Sequence, residues 1–298
     1  MNGAILTSVT AMQASSKDAR SRGKTIALVP TMGALHEGHL SLIRKAKSLA
    51  DHVVTSVFVN PMQFGKGEDF ERYPRELERD ADLAFGSGSD ILFAPATLEM
   101  YPEGFQTWVV PGRFADVLEG QIRPGHFRGV ATVVTKLFTI TMPHLAIFGQ
   151  KDVQQAYVVR RLVRDLNLNV RIVVEPTVRE PDGLAMSSRN RYLSSDERAR
   201  AVCLRRALTA AEARLKSGER SAGVLREAIE RELAHGSPTA VDYIAVLDGE
   251  TFEPQDPVRS ASVIVALAVR FGPTRLIDNT IVELGIHQRP DVTQGGTP

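Results

Sequence analysis

Two histidines, His36 and His39, flank Gly38 within the stretch VPTMGALHEGHLSLIRKA (29–46). Ile26–Val29 is a short apolar run closed by Pro30, which reads as a buried strand and its end. From Leu40 the apolar positions Leu40, Leu42, Ile43, Ala46 and Leu49 fall near helical spacing, with Arg44, Lys45 and Lys47 between them. The spacing therefore puts His36, Gly38 and His39 where a strand turns into a helix. The first helical turn carries unpaired N–H groups and a partial positive charge, and it binds phosphate readily. Imidazoles there can donate to phosphate oxygens, and Gly38 leaves room for a planar ligand beside the backbone. Two other readings stay open: histidines that only cap the backbone, and a zinc pair. Zinc is disfavoured, because zinc peptidases space their histidines four apart on a helix, and no third ligand is evident here.

Two further stretches offer phosphate chemistry. Met186-Ser187-Ser188-Arg189-Asn190-Arg191 supplies hydroxyls, backbone amides and a guanidinium fork that suits phosphate; alone it reads equally as a polar loop before a helix. Phe148-Gly149-Gln150-Lys151-Asp152 follows a predicted strand. Lys151 can neutralise phosphate charge, and Asp152 can accept from a ribose hydroxyl or help hold a metal ion; alone, Lys151 reads as a surface lysine. There is no GxxxxGK[ST], and no GxGxxG follows a strand, which disfavours P-loop and dinucleotide folds.

The elements that must position these groups alternate. Strand signals at Val53–Val59, Ile91–Ala94, His144–Phe148 and Val170–Val174 are interleaved with helix signals at Glu76–Phe85, Gly129–Thr141 and Val153–Leu166. Such alternation predicts an α/β fold with a parallel sheet covered on both faces, its loops gathering at the strands' carboxyl ends. The character changes near Pro176. Ser194 and Glu197 form a predicted capping box before a long helix reaching about Lys216, a second helix spans Val224–Ala234, and apolar runs follow at Val241–Leu247 and Ser262–Val269. The expected division is 1–176 as the parallel-sheet unit, 177–287 as a smaller α+β unit and candidate lid, and 288–298 as a flexible tail.

Composition narrows the function classes. The 298 residues are 43% hydrophobic, and 36 Lys plus Arg nearly balance 35 Asp plus Glu, which argues against a general nucleic-acid binder. The single cysteine, Cys203, excludes an internal disulfide and suits a reducing cytoplasm. No apolar stretch is long enough to span a bilayer.

The sequence also resembles a family. PTMGALHEGH (30–39), FVNPMQF (58–64), YPR (73–75), LEG (118–120), RPGHFRGV (123–130), FGQKDVQQ (148–155) and PTVREPDGLAMSSRNRYL (176–193) match the pantoate–β-alanine ligases of the HxGH nucleotidyltransferase superfamily. The resemblance runs from about residue 5 to 285 and implies a Rossmann-like sheet of the HUP type. The implied reaction is condensation of pantoate with β-alanine using ATP and Mg²⁺, through a pantoyl adenylate, in a cytoplasmic homodimer. The implied ATP contacts are Met32, Gly33, Ala34, Leu35, His36, Glu37, Gly38, His39, Gly149, Gln150, Lys151, Asp152, Val178, Met186, Ser187, Ser188 and Arg189. Gln63 and Gln155 would hold pantoate, Gln63 also β-alanine, and His39 is the implied proton donor. Asp80 falls loosely near the family's metal-adjacent acids. Gln150 stands where many relatives have Glu.

Charge considerations agree with that reading. Attack of a carboxylate on an α-phosphorus brings two anions together, so cationic and hydrogen-bonding groups must offset the growing charge. His36, His39 and Lys151 are the expected catalytic groups, with Ser187, Ser188 and Arg189 on the leaving pyrophosphate. Met32 and Phe64 are candidate walls for the substrate's methyl groups. His126 and Glu119 are expected to shape a loop near the site or a subunit contact. An adenylyltransferase of the same superfamily and a non-catalytic nucleotide sensor are the alternatives.

Overall fold

The computed structural model describes residues 3–65 and 67–284. The tail 288–298 and His287 lie outside the described residues. Six strands, β1 (Ala4–Leu6), β2 (Ile26–Thr31), β3 (His52–Val57), β4 (Ile91–Phe93), β5 (Leu145–Gly149) and β6 (Arg171–Glu175), form one parallel sheet in the order β1-β4-β3-β2-β5-β6. From β2 the chain winds outward through β3 and β4, then returns to lay β5 and β6 on the other side. The strand order thus reverses between β2 and β5, where diverging loops leave a crevice.

The chain splits there for a visible reason. The β2–β5 ladder stops at Leu28–Ala146, whereas β2 pairs with β3 through Thr31–Val57. Pro30, expected to end the strand, instead lies inside it. The Ile26 carbonyl accepts from His144 N–H, so the even-numbered residues of β2 turn their backbone groups toward β5. By position 30 that ladder has ended, and the missing proline N–H interrupts nothing.

Both sheet faces are apolar, so the strands read as continuous hydrophobic runs. Ile26 and Leu28 face the core that contains α1 (Val9–Ser21), α6 (His126–Thr141) and α7 (Val153–Asp165). Ala27 and Val29 face the core shared with α2 (Glu37–Leu49) and α3 (Leu77–Gly86). Two four-residue helices, α4 (Thr97–Met100) and α5 (Glu119–Ile122), shape the long connection to α6.

Beyond Pro176 come α8 (Ser195–Arg200), α9 (Cys203–Lys216), α10 (Ala222–Gly236) and an antiparallel sheet of β7 (Ala240–Asp248), β8 (Ser262–Phe271) and β9 (Thr274–Glu283). The Ser194/Glu197 capping box is present. The single long helix expected after it is two helices. At the break, the end of α10 crosses closely: a Cβ on Gly236 would lie 2.4 Å from Cys203 Sγ and 2.9 Å from the Arg200 carbonyl oxygen. The Arg200 guanidinium also donates to the Gly236 carbonyl at 3.1 Å. Cys203 is fully buried in this contact, and burial pushes its thiol pKa up to about 11. One face of the small sheet packs on α9 and α10, and the other meets Val153 and Tyr157 of α7 through Phe252, Ile264 and Ala266.

Candidate active site

The crevice between β2 and β5 gathers the predicted groups. The turn after β2 caps α2 with its own histidines. His36 is the N-cap; its Nδ1 accepts from Gly38 N–H at 3.2 Å, and His39 Nδ1 accepts from His36 N–H at 3.4 Å. Because each Nδ1 accepts a backbone proton, both neutral rings carry their proton on Nε2. The ring centroids stand 4.1 Å apart. Burial, then the charge of Lys151, lowers the His36 pKa to about 4. Burial, then His36 and Lys151, lowers that of His39 to about 3. The pair is therefore uncharged near pH 7 and offers two N–H donors. A Cβ at Gly38 would lie 2.9 Å from His36 Cε1, so the ring covers the side that a side chain would occupy.

Asp80 does different work from its expected place near a metal. It is 1% exposed, and its two carboxylate oxygens accept from Ala34 N–H at 2.9 Å and Leu35 N–H at 2.7 Å. Burial nevertheless pushes its carboxyl pKa up. Gly33 has φ +86°, and Ala34, with a side chain, sits at φ +51°, a conformation costing an alanine about 1 kcal/mol. The carboxylate clamp holds this turn in place. Among the described residues, no group of three or more His, Cys, Asp or Glu is gathered that could hold a metal ion.

Met32, His36, Gly38, His39, Gln63, Gly149, Lys151, Asp152, Gln155, Val178, Met186, Ser187, Ser188 and Arg189 line one cleft of about 220 Å³. Other predicted contacts do not line it. Ala34 and Leu35 are buried beneath the turn, and Glu37 points outward to pair with Arg44. Gln150 turns toward β9, where its side chain donates to Asn279 Oδ1 at 3.1 Å. Asn279 in return donates to the Gln150 and Lys151 carbonyls at 2.9 Å each. Asn279 carried no signal in the sequence, yet it holds the Lys151 turn from the far side of the cleft.

Arg189 forms a two-point ion pair with Asp69, at 3.0 and 3.2 Å. Burial opposes ionisation of Asp69, but the bonds and charge of Arg189 outweigh it and hold the carboxyl below its ordinary range. A second cavity, of about 810 Å³, adjoins the first and shares Arg123, His126, Lys151, Asp152, Gln155, Ser187 and Arg189 with it. It runs along β9, so the cleft continues between the two sheets.

Further groups line the cleft, among them Arg123 and His126, the latter expected only to shape a loop near the site or a subunit contact. His126 Nδ1 donates to the Gln63 carbonyl at 2.8 Å, which leaves Nε2 to accept from Arg123 at 3.1 Å. Burial, then the adjacent guanidinium, lowers the His126 pKa to about 4. Arg123 also pairs with Glu68 at 2.7 Å. Phe64, expected as an apolar wall, packs instead against Phe70 and Tyr73. The wall comes from Phe58, Phe148 and the α6 residues Val130, Val133, Val134 and Leu137. Their signal was available: α6 is apolar nearly all round, and such a helix has more than one buried face. Glu119 lies away from the cleft floor and binds Arg275 at 2.7 and 2.8 Å and Tyr243 at 2.7 Å.

Comparison with known proteins agrees with this architecture. The family model for pantoate–β-alanine ligase matches residues 4–281. Pantothenate synthetase of Geobacter sulfurreducens is 54% identical over 278 residues, covering 93% of this chain and 98% of the relative. That of Moorella thermoacetica is 52% identical over 280 residues, covering 94% and 99%. The crystal structure of Thermus thermophilus pantothenate synthetase superposes with TM-score 0.86 at 47% identity, covering 93% of this chain and 98% of that one. A Francisella tularensis pantoate–β-alanine ligase, solved in complex with beta-gamma ATP and β-alanine, gives TM-score 0.75 at 34% identity, covering 94% and 98%. The chain is an enzyme, and it belongs to the pantoate–β-alanine ligase family.

Proposed function

We propose that the cleft joins pantoate to β-alanine at the expense of ATP, through a pantoyl adenylate. The observation that carries this reading is the convergence on one cleft of two neutral Nε2–H imidazoles, Lys151, Ser187–Arg189 and the amides Gln63 and Gln155. In the first step a pantoate carboxyl oxygen bonds to the α-phosphorus, the bond to the bridging oxygen breaks, and pyrophosphate leaves with its electron pair. His36, His39 and Lys151 would stabilise the charge on the α-phosphoryl oxygens, and preorganised donors of this kind contribute about 10²–10³ in rate. Ser187, Ser188 and Arg189 would hold the departing phosphates. In the second step the neutral amine of β-alanine adds to the acyl carbon, the carbon–oxygen bond to AMP breaks with its electron pair on AMP, and the nitrogen gives up one proton to solvent, keeping the other as the amide N–H. Positioning by Gln63 suffices for much of this step, because the adenylate is already activated.

Mg²⁺ fits as an ion carried by phosphate oxygens, whose charge it would neutralise. Asp152, beside Lys151 in the cleft, is the carboxylate that would share it, since Asp80 is occupied by amides. The division near Pro176, a lid role for the C-terminal unit, a homodimer and a cytoplasmic location belong to the same reading. The ligase reaction itself is supported by the Francisella relative's complex with a nucleotide and β-alanine. No helix among the described residues is long and apolar enough to cross a membrane.

The test follows one atom. Pantoate labelled with ¹⁸O in its carboxyl group should transfer one label to AMP per turnover. AMP without label overturns the adenylate. A dinucleotide product in place of AMP would favour the adenylyltransferase alternative.

A further inference from the structure

Behind Gln63 lies a chain of side chains whose hydrogen-bonding polarity can be worked out from the backbone. Asn60 is 1% exposed and Tyr101 5%. Asn60 Oδ1 faces the Met62 backbone N–H at 3.2 Å, and a backbone N–H can only donate. Asn60 Nδ2 faces the Gly129 carbonyl at 3.2 Å, which can only accept. The orientation of the Asn60 amide is thus fixed by groups with no freedom of role. Its remaining N–H then faces Gln63 Oε1 at 3.0 Å, and its remaining lone pair faces the Tyr101 hydroxyl at 2.9 Å. Every bonding position of Asn60 is filled. Gln63 consequently has its oxygen turned away, and its Nε2 lies 3.1 Å from Met32 Sδ, on the cleft wall.

We propose that Tyr101 is a positioning residue for the reaction: its hydroxyl completes the set of partners that locks Asn60 in place, and Asn60 holds Gln63 as a hydrogen-bond donor, so the group of the hydroxy acid that meets Gln63 must be an acceptor oxygen. This inference rests on the reading of Gln63 as a pantoate contact. Tyr101 does not line the cleft and can act only through Asn60. Its hydroxyl comes from a separate segment, at the end of α4, and its ring is braced by Phe58 and Phe105, with centroids at 6.2 and 5.0 Å. Burial keeps the phenol protonated and therefore able to donate. Without that donor, a buried amide oxygen loses one partner and the Asn60–Gln63 bond loses a constraint.

The experiment is steady-state kinetics of Tyr101→Phe, which keeps the ring and removes the hydroxyl. The KM for pantoate should rise roughly five- to tenfold, while the KM for ATP stays unchanged. Asn60→Asp is the second variant. It presents acceptors on both sides, so Gln63 must reverse its amide, and pantoate affinity should fall further than in Tyr101→Phe. Thermal unfolding midpoints show whether each variant is folded. An unchanged pantoate KM in folded Tyr101→Phe, or equal rises in both KM values, overturns the proposal. If the wild-type chain itself fails to consume pantoate, the functional reading fails and the role of Tyr101 falls with it.

Discussion

His36, His39 and His126 are neutral chiefly because burial shields each ring from water, and then because Lys151 or Arg123 stands close by. Protonation would set a second charge beside Lys151 or Arg123. For His126, which is 8% exposed, the folded pKa of about 4 lies below the ordinary value of about 6.5. Between those values the unfolded chain binds a proton that the folded chain refuses. The stabilisation is therefore complete above pH 6.5 and is lost as pH falls toward 4, at up to about 1.4 kcal/mol per pH unit for one such group. His36 and His39 act with the same sign. The midpoint of urea unfolding should accordingly be lower at pH 5 than at pH 7, and less so in His126→Asn. A midpoint that holds steady or rises at pH 5 counts against neutral buried imidazoles. At this scale the sequence was readable where residues are neighbours, as in His36-x-Gly38-His39. The partner of His126, and any role for Asn279, were opaque because what they hold is a carbonyl oxygen distant in the chain, and any residue supplies one.

Among elements, α6 carries the clearest link between packing and site. It runs so close beneath the turn bearing Gln63 that a Cβ on Gly129 would lie 2.1 Å from the Met62 carbonyl oxygen and 2.7 Å from Gln63 N. Gly129→Ala must displace that turn. The expected cost is about 1–3 kcal/mol of stability, as for overpacking generally, together with a raised pantoate KM. Thermal unfolding and kinetics check this, and wild-type values for both would show that the contact is softer than described. The parallel sheet was legible because its strands are continuous apolar runs between helical patterns. The elements that escaped are those whose pattern is weak or broken. β1 has three residues, α1 mixes three serines with Lys17, Asp18 and Arg20, and β9 interrupts its alternation with the buried polar pair Asp278 and Asn279. The split between α8 and α9 comes from the crossing of α10, which local propensity does not encode.

For the molecule as a whole, the two sheets are tied across the cleft at separate points: Asp69 to Arg189, Glu119 to Arg275 and Tyr243, and the Gln150–Lys151 turn to Asn279. Under the proposed reading Arg189 exchanges Asp69 for phosphate, so nucleotide binding competes with an internal ion pair at one rim. Asn279 grips the Gln150–Lys151 backbone through two hydrogen bonds. Small-angle scattering should show a smaller radius of gyration with ATP and pantoate than without them. An unchanged radius would remove support for a closing lid.

The position of the sole thiol makes such motion easy to follow by other means. Cys203, the first residue of α9, is wedged against the end of α10, fully covered, and its raised pKa leaves almost none of the reactive thiolate at neutral pH. Fluorophores attached through maleimide to cysteines introduced on opposite rims would report on those rims alone, with no need to engineer a cysteine-free background first.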